Sequence, residues 1–552
     1  MDTYYDLGTY SFPVTTSSPQ AQLWFDRGLL WTFGFNHEEA IVCFHRALEH
    51  DPDCAMAHWG IAYAAGPNYN LPWRLMDDHM KAGALSLAWP ALQSALALAD
   101  RTGPVEQALI RALSSRYQSE TPVENMSPWD DAFADAMRAE HAAMPDQLEI
   151  ACILAEAMMT RTPWLMWDLP SGDPMPGADT LECMALLERA MGLPGGADHP
   201  GLTHLYVHLM EMSPTPEKAL KAADVLRRRV PDAGHLVHMP THIDMLCGNY
   251  ADVLFWNERA IEADLKYYDR EGGVKFYTGY RQHNYHFAIY GAMFLGQIEP
   301  ALRAVRGLAE TTPAEALKIQ SPPYADFWEA YLAMEPHVLI RFGRWNDILQ
   351  MELPEDPATY ATLNATLLYA KGLAHAALGQ VPEALEMEQN FLAAHVPETR
   401  RIHNNTVTDV LAVAREMLRG EILYREEQYE EAYAALRRSV ALEDALNYDE
   451  PWGWMQPTRH ALGALLYEQG RVAEAEEVYR QDLGLVAGLP RACVHPDNVW
   501  ALKGLHDCLA ARGETVEIAQ VRQRLDFALA RADTEVAASC FCAQAAMASC
   551  CG

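Results

Sequence analysis

Apolar residues recur along the chain with the spacing of amphipathic helices. The segments QYEEAYAALRRSVALEDAL and RVAEAEEVYRQDL combine alanine, leucine and glutamate at helical spacing. Runs of β-branched residues with a period of two are nearly absent. The pattern predicts an all-α protein. At 552 residues the chain is too long for one simple core, which indicates several domains or a repeat array.

Small and aromatic residues also recur in a frame of 34 residues. The clearest copy places its marker residues at frame positions 4, 8, 11, 20, 24, 27 and 32: Trp24, Gly28, Trp31, Ala40, Phe44, Ala47 and Pro52. Copies return along the chain, and a degenerate one holds Trp500 and Gly504. This pattern resembles the tetratricopeptide repeat (TPR). The resemblance implies a superhelical solenoid of antiparallel helix pairs.

The frame divides the chain into six predicted segments. They are an N-terminal segment (1–19), TPR-like helices (20–161), an irregular segment rich in tryptophan, proline and glycine (162–201), histidine-rich repeats (202–312), C-terminal TPR-like repeats (313–533) and a cysteine-rich tail (534–552). A tyrosine-rich insertion at 266–282 interrupts the histidine-rich repeats. Long aromatic loops in a compact array often form lids. We therefore expect the insertion and the tryptophan-bearing segment to cover a pocket.

Histidines occupy the same frame positions in three successive first helices. His204 and His238 fall at position 5, His208 and His242 at position 9, and the third helix carries His283 at position 2 and His286 at position 5. Seven histidines lie between residues 204 and 286, where an even spread of the 21 histidines would give about three. Positions 5 and 9 are about one turn apart on one helix face. The spacing predicts a ladder of histidines that faces the concave groove.

Imidazoles one turn apart on neighbouring helices are a common chelating arrangement. The sequence predicts a metal site with these ligands: His204, His208, His238, His242, His283 and His286. Further ligands or supporting residues are predicted at His235, Glu211, Asp244, His460, Cys540 and Cys542. Copper is favoured as the metal, and zinc or iron is possible. A peptide-carboxylate or proton-linked groove without metal is the alternative.

A substrate pocket is predicted from aromatic and amide side chains near the ladder. Its residues are Tyr206, Tyr280, Tyr285, Trp164, Trp167, Asn68 and Asn70. The preferred function is a metal-dependent oxidoreductase that acts on a small molecule. The alternatives are a zinc-dependent hydrolase and a non-catalytic TPR scaffold that binds a peptide or protein partner. A peptide-binding groove would favour lysine and arginine where this chain has histidine.

The chain also resembles a histidine-rich subgroup of microbial TPR proteins. The stretches that carry this resemblance are GLLWTFGFNHEEAIVCFHRALEHDPDCAMAHWGIAYAAGPNYN, HLYVHLME, PDAGHLVHMPTHI, RQHNYHF and SCFC. The resemblance implies a groove specific to that subgroup, and it implies no settled activity. Whether the tail with Cys540 and Cys542 reaches the site is left open.

Composition narrows the classes of partner and location. Forty-two lysines and arginines against 75 acidic residues give a formal charge of −33, which excludes nucleic-acid binding as a preferred function. The first residues lack the pattern of a signal peptide, and no window of eighteen consecutive apolar residues is present. We therefore expect no membrane span, a cytoplasmic protein and reduced cysteines.

Overall fold

The computed structural model describes residues 4–543. Within this range helices are the main secondary structure and strands are almost absent, which confirms the all-α prediction. The first α-helices are α1 (Pro19–Phe33), α2 (His37–His50), α3 (Ala55–Ala65), α4 (Asp78–Leu98), α5 (Pro104–Leu113), α6 (Ser127–Ala143), α7 (Leu148–Arg161), α8 (Thr180–Met191), α9 (Pro200–Met210), α10 (Leu220–Leu226), α11 (Gly234–His238), α12 (Pro240–Leu246) and α13 (Tyr250–Glu271).

The remaining α-helices of the described range continue the same pattern. They are α14 (Thr278–Leu295), α15 (Ile298–Glu310), α16 (Tyr324–Trp328), α17 (Met334–Arg341), α18 (Trp345–Gln350), α19 (Ala361–Ala377), α20 (Val381–Ala393), α21 (Val407–Arg425), α22 (Tyr429–Asp444), α23 (Thr458–Glu468), α24 (Val472–Asp482), α25 (Val499–Ala511) and α26 (Glu517–Leu529). Short 3₁₀-helices lie at Trp73–Leu75, Ala99–Arg101, Gly196–Asp198, Pro216–Ala219, Ala316–Lys318, Glu329–Ala333 and Arg491–Cys493.

The chain forms two compact units. Unit 1 comprises Met1–Ile243 and Arg259–Tyr277, and unit 2 comprises Asp244–Glu258 and Thr278–Gly552. Consecutive helices pack as pairs in both units, for example α1 with α2 and α21 with α22. Turns of only a few residues join these pairs, so the partners run antiparallel. The TPR-like helix pairs predicted from the 34-residue frame are thus confirmed.

The small and aromatic positions of the frame meet where the helices cross. In unit 1 the ring of Phe44 on α2 lies between Gly28 on α1 and Gly60 on α3, and a Cβ atom at either glycine would be 2.6 Å from that ring. In unit 2 the Tyr479 ring takes the same place between Gly463 and Gly504. The glycines therefore create the space into which the aromatic ring of the next helix packs.

The tyrosine-rich insertion is more ordered than the sequence predicts. Helix α13 continues through most of it to Glu271, and α14 begins at Thr278, so only residues 272–277 lie outside helices. Gly272 ends α13 with φ of 83°. The prediction of a long aromatic loop at 266–282 is wrong in this respect, because the helical pattern of α13 runs past the frame boundary.

One strand pair interrupts the helices in the described part of the chain. Strands β1 (Arg401–Ile402) and β2 (Asn405–Thr406) pair antiparallel between α20 and α21, with Ile402 opposite Asn405. The two-residue turn holds His403 at φ of 44°, a left-handed conformation that is uncommon for residues other than glycine. This hairpin lies outside the repeat frame.

One described helix, Asp78–Arg101, is long and apolar enough by composition to cross a membrane, and a third of its most apolar window is buried. The helix contains Pro90, and it packs against α3 in unit 1. Length and apolar composition in one helix do not distinguish a membrane span from the core helix of a folded unit.

Candidate metal centre

Two helical segments of unit 1 bring five histidines together. Helix α9 begins at Pro200, a residue suited to the first helical position, and it carries His204 and His208 one turn apart. Helix α11 ends at His238, and Pro240 starts α12. We call the following residues the unit 1 histidine cluster: His204, His208, His235, His238 and His242. Every member is at most 1% exposed.

The ring nitrogens of the cluster face one another. The Nε2 atoms of His238 and His242 are 2.7 Å apart, and those of His204 and His235 are 3.1 Å apart. One ring nitrogen from each of His204, His208 and His235 lies within 4.8 Å of the other two. Two ligand nitrogens on a tetrahedral zinc or copper ion are about 3.4 Å apart, given bonds of about 2.0–2.1 Å. The cluster therefore needs only small side-chain shifts to surround an ion.

Glu211 fixes the orientation of two members. Its carboxylate lies 3.0 Å from Nδ1 of His208 and 2.7 Å from Nδ1 of His242. An ionised carboxylate only accepts hydrogen bonds, so both Nδ1 atoms carry the proton and donate it. Nε2 is then the nitrogen of each ring that is available to a metal ion. Carboxylates support metal-binding histidines in this way, and both oxygens of Glu211 make such contacts.

Burial lowers the pKa of three members of the cluster. It lowers the pKa of His204 to about 3, and a hydrogen bond to the Phe33 backbone opposes this shift. Burial also lowers the pKa of His208 and of His235 well below the usual range, and the neighbouring imidazoles lower them further. Neutral imidazole is the form that binds metal ions, so these three rings can bind a cation at neutral pH.

Aromatic rings enclose the cluster from within unit 1. The Phe35 ring lies 4.7 Å from the ring of His204 and stacks on that of His208 at 5.8 Å. The Tyr69 ring lies 4.8 Å from the His208 ring, and the Trp164 ring lies 5.4 Å from Tyr69. The sequence did not predict Phe35 or Tyr69. Tyr69 is the central residue between the predicted Asn68 and Asn70, whereas Phe35 has no sequence signal.

The other pocket residues predicted in unit 1 have structural partners. The Asn68 side chain accepts hydrogen bonds from the backbone of Asn70 at 2.9 Å, so it shapes the turn that carries Tyr69. The Trp167 indole donates to the Leu209 carbonyl on α9 at 2.7 Å. The Tyr206 hydroxyl donates to Glu188 at 2.9 Å, and Glu188 is exposed. The Trp167 hydrogen bond therefore helps to hold α9 in place, and the Tyr206 hydrogen bond joins α9 to α8.

The remaining predicted residues lie in unit 2. There His283 and His286 are grouped with His403. Tyr280 and Tyr285 are buried on α14, and the Tyr285 ring packs against Gly307. Asp244 begins the first segment of unit 2, where Asn249 contacts its side chain at 3.4 Å.

His460 belongs to a separate hydrogen-bond network in unit 2. Arg341 donates to its Nδ1 at 2.8 Å, and Asp482 accepts from its Nε2 at 3.0 Å. Both ring nitrogens therefore have protein partners, and the structure does not bring His460 into the group of His283, His286 and His403.

The cysteine-bearing segment folds back onto unit 2. Cys540 and Cys542 form a disulfide beside Glu421, and the Phe541 ring packs against Gly343. The prediction of reduced cysteines is wrong for this pair, because their separation of two residues brings the sulfurs within bonding reach. Seven other cysteines in the described range are not joined in disulfides: Cys43, Cys54, Cys152, Cys183, Cys247, Cys493 and Cys508. Cys550 and Cys551 lie outside the described residues.

No protein-family model matches the chain, and no curated protein sequence matches it. Among solved structures, the human IFIT1 dimer with m7Gppp-AAAA is similar at 12% identity over 86% of this chain and 90% of that chain, with a TM-score of 0.32. Yeast Tom70 is similar at 12% identity over 93% and 91%, with a TM-score of 0.27. The APC/C heterotetramer Cut9–Hcn1 is similar at 12% identity over 94% of each chain, also with a TM-score of 0.27. These values carry no argument about function.

Proposed function

We propose that unit 1 binds a transition metal ion through the unit 1 histidine cluster, and that the protein is a metal-dependent oxidoreductase acting on a small molecule. The observation that carries the metal site is the double hydrogen bond to Glu211, which directs the Nε2 atoms of His208 and His242 away from the carboxylate. Such tautomer control is typical of metal-binding histidines.

The polar atoms of the cluster also favour a bound cation. The Nε2 atom of His208 is buried and has no hydrogen-bond partner among the described residues. An unsatisfied buried polar atom costs about 1–3 kcal/mol. A metal ion would satisfy this nitrogen and the neighbouring imidazole nitrogens together.

The donor chemistry favours copper, with zinc as the next choice. Non-haem iron oxygenases typically use two histidines and a carboxylate as ligands, whereas Glu211 is hydrogen-bonded to Nδ1 atoms. Imidazole ligands suit both copper and zinc, and copper(II) binds more tightly than zinc at a given nitrogen site. A copper ion would supply one-electron chemistry. If the ion were zinc, a zinc-dependent hydrolase would be a better proposal than an oxidoreductase.

A small molecule would bind beside Tyr69. The Asn70 Oδ1 atom is buried without a hydrogen-bond partner among the described residues, and it directly follows the tyrosine that contacts His208. Trp164 packs on the other side of Tyr69. These groups offer one hydrogen-bond acceptor and an aromatic wall, which suits a substrate that combines a donor group with an apolar or aromatic body.

Elemental analysis of the purified full-length protein tests the metal site. We expect bound copper in the wild type and a loss of at least one equivalent in the double variant H208A/H242A, with helical content unchanged by circular dichroism. His45→Ala is the matched control, because His45 is an exposed histidine of unit 1. A wild-type protein that stays metal-free after incubation with copper or zinc salts would refute the metal site.

The second candidate function is a non-catalytic scaffold. Helix α26 exposes 69% of Phe527, and Val516 just before it is 71% exposed. Terminal helices of repeat arrays usually present a polar outer face, so this apolar surface favours contact with a protein partner. Two results together would favour the scaffold: the folded protein binds no metal, and the Phe527→Lys substitution abolishes binding of such a partner.

A further inference from the structure

Unit 2 assembles its own histidine cluster from two distant parts of the chain. We call His283, His286 and His403 the unit 2 histidine cluster. Nδ1 of His283 lies 3.0 Å from Nε2 of His403, and one ring nitrogen from each of the three residues lies within 4.8 Å of the others. His283 and His286 are three residues apart on α14, whereas His403 comes from the β1–β2 turn.

A thioether sulfur lies beside this cluster. The Sδ atom of Met455 is 2.9 Å from Nε2 of His286, and Met455 is 2% exposed. The Nδ1 atom of His286 has no hydrogen-bond partner among the described residues. Methionine is a weak hydrogen-bond acceptor and a good ligand for soft metal ions. The cluster therefore combines three imidazoles with one soft sulfur donor.

Asp449 orients His403. Its Oδ1 atom accepts a hydrogen bond from His403 Nδ1 at 2.8 Å, which leaves Nε2 as the nitrogen that faces His283. The Asn405 side chain donates to Oδ2 of Asp449 at 3.0 Å and to the Asn447 carbonyl at 3.1 Å. The hairpin and the loop after α22 thus hold each other in register, and the carboxylate supports the histidine as in known metal sites.

The backbone conformation of His403 is an independent indication of a ligand site. Its φ of 44° places a histidine in the left-handed region. Such conformations are strained and persist where the surroundings hold them, often at ligand sites. The Tyr331 hydroxyl also hydrogen-bonds to His403 Nε2. A metal ion bound to this nitrogen would take the place of that hydrogen bond.

The geometry points to a copper(I) site in unit 2, formed by His283, His286, His403 and Met455. Copper(I) accepts thioether and imidazole ligands together, whereas zinc prefers thiolate, imidazole or carboxylate. All four ligands belong to unit 2, and the proposal does not depend on the function proposed for unit 1. Unit 2 would bind copper(I) even if unit 1 held no metal.

The first experiment isolates unit 2. Full-length H208A/H242A protein, in which the unit 1 cluster is impaired, is incubated anaerobically with copper(I), dialysed and analysed for copper. We expect about one equivalent to remain and to be lost on the further substitution His403→Ala. Copper that is retained after His403→Ala would overturn the proposed site. Loss of copper in H208A/H242A itself would also overturn it, because unit 2 should bind independently.

A second experiment tests the sulfur ligand without removing a histidine. Met455→Leu preserves side-chain volume. In the H208A/H242A background it should lower copper(I) affinity at least tenfold, leave zinc affinity unchanged, and remove the sulfur signal from the copper X-ray absorption spectrum. Met293→Leu is the matched control, because Met293 is a buried methionine two turns from His286 on α14. Equal copper(I) affinities for the Met455→Leu and Met293→Leu proteins would refute the thioether ligand.

Discussion

His199 caps the helix that carries two histidines of the unit 1 cluster. Its Nδ1 accepts a hydrogen bond from the Leu202 backbone at 3.2 Å, and the residue is fully buried beside Tyr10 and Phe33. Burial lowers the pKa of His199 from 6.5 to about 3. Protonation would charge a buried ring and remove the acceptor that begins α9.

We predict that His199→Asn reduces the acid sensitivity of the fold. The unfolded chain binds more protons at this position between pH 6.5 and about 3, so the stability from neutral His199 is fully present above pH 6.5 and is lost as the pH falls. Each pKa unit corresponds to about 1.4 kcal/mol. Asparagine keeps a cap and does not titrate. Urea unfolding of both proteins at pH 7 and pH 5 measures the difference, and an equal loss of stability between these pH values would contradict the prediction.

Glu211→Gln should weaken the unit 1 metal site without unfolding it. His208 and His242 contact different oxygens of Glu211, and glutamine replaces one of these oxygens with an NH2 donor, so only one imidazole keeps its acceptor. The other imidazole then loses the partner that fixes its tautomer. Losses of this kind lower metal affinity about 10–100-fold. Competition with a chromophoric chelator measures the change.

Glu188→Gln serves as the control for Glu211→Gln. Glu188 is an exposed residue of the same unit, and it accepts a hydrogen bond from Tyr206. Its substitution should leave metal affinity unchanged. If both variants bound metal like the wild type, Glu211 would have no role in orienting the histidines.

At the scale of helices, we predict that Gly28→Ala destabilises the first helix pair. A Cβ atom at Gly28 would lie 2.6 Å from the Phe44 ring, so α1 and α2 must separate to accept it. Overpacking of this kind costs about 1–3 kcal/mol. Chemical denaturation followed by circular dichroism gives the change in the free energy of unfolding.

Gly83→Ala is the matched control for the helix-pair prediction. Gly83 lies on the exposed face of α4, and a Cβ atom there would have no neighbour within 4 Å. Alanine is the better helix former by about 1 kcal/mol, so this variant should be more stable than the wild type. Destabilisation by Gly83→Ala equal to that by Gly28→Ala would show that the contact with Phe44 is not the cause.

The sequence predicts helix pairs well because the residues that define them repeat. Gly28 and Phe44 occupy the frame positions where two helices must approach closely, and Gly463 with Tyr479 repeats the contact in unit 2. The same frame aligns His204 with His238 and His208 with His242. Periodicity therefore identifies both the helices and the face on which these histidines meet.

Residues outside the frame could not be predicted in this way. His403 lies on an inserted hairpin, and it contacts His283 at a separation of 120 residues. Met455 contacts His286 at a separation of 169 residues, from a loop between α22 and α23. Phe35 contacts the unit 1 cluster from the α1–α2 turn. No repeating pattern relates these positions to the histidines, so their roles depend on tertiary structure.

At the scale of the whole molecule, neither unit is a continuous piece of chain. Unit 2 includes Asp244–Glu258. In that segment the Tyr250 ring stacks on Phe294 at 5.0 Å, and Glu258 pairs with Arg303 at 3.1 Å. A chain that begins at Thr278 lacks these contacts. We predict that such a fragment unfolds at lower temperature and with less cooperativity than the full-length protein.

A synthetic peptide that spans residues 244–258 should restore the thermal stability of this fragment. The control peptide carries Tyr250→Ala and Val253→Ala, because Tyr250 stacks on Phe294 and Val253 packs against Gly291. Differential scanning calorimetry measures the midpoint in each mixture. A fragment that unfolds like the full chain without any peptide would show that the segment is dispensable.

The discontinuity of unit 2 also affects how the protein is made on the ribosome. The carbonyl of Leu246 accepts a hydrogen bond from Arg491, which is 245 residues later in the chain. At about 5–20 residues per second, this partner is synthesised roughly 12–50 s after Leu246. During that time the 244–258 segment lacks the C-terminal part of unit 2, and Tyr250 and Val253 gain their partners Phe294 and Gly291 only roughly 2–9 s after their own synthesis. The nascent chain therefore displays an apolar segment in mid-synthesis, and such a segment is a natural binding site for chaperones.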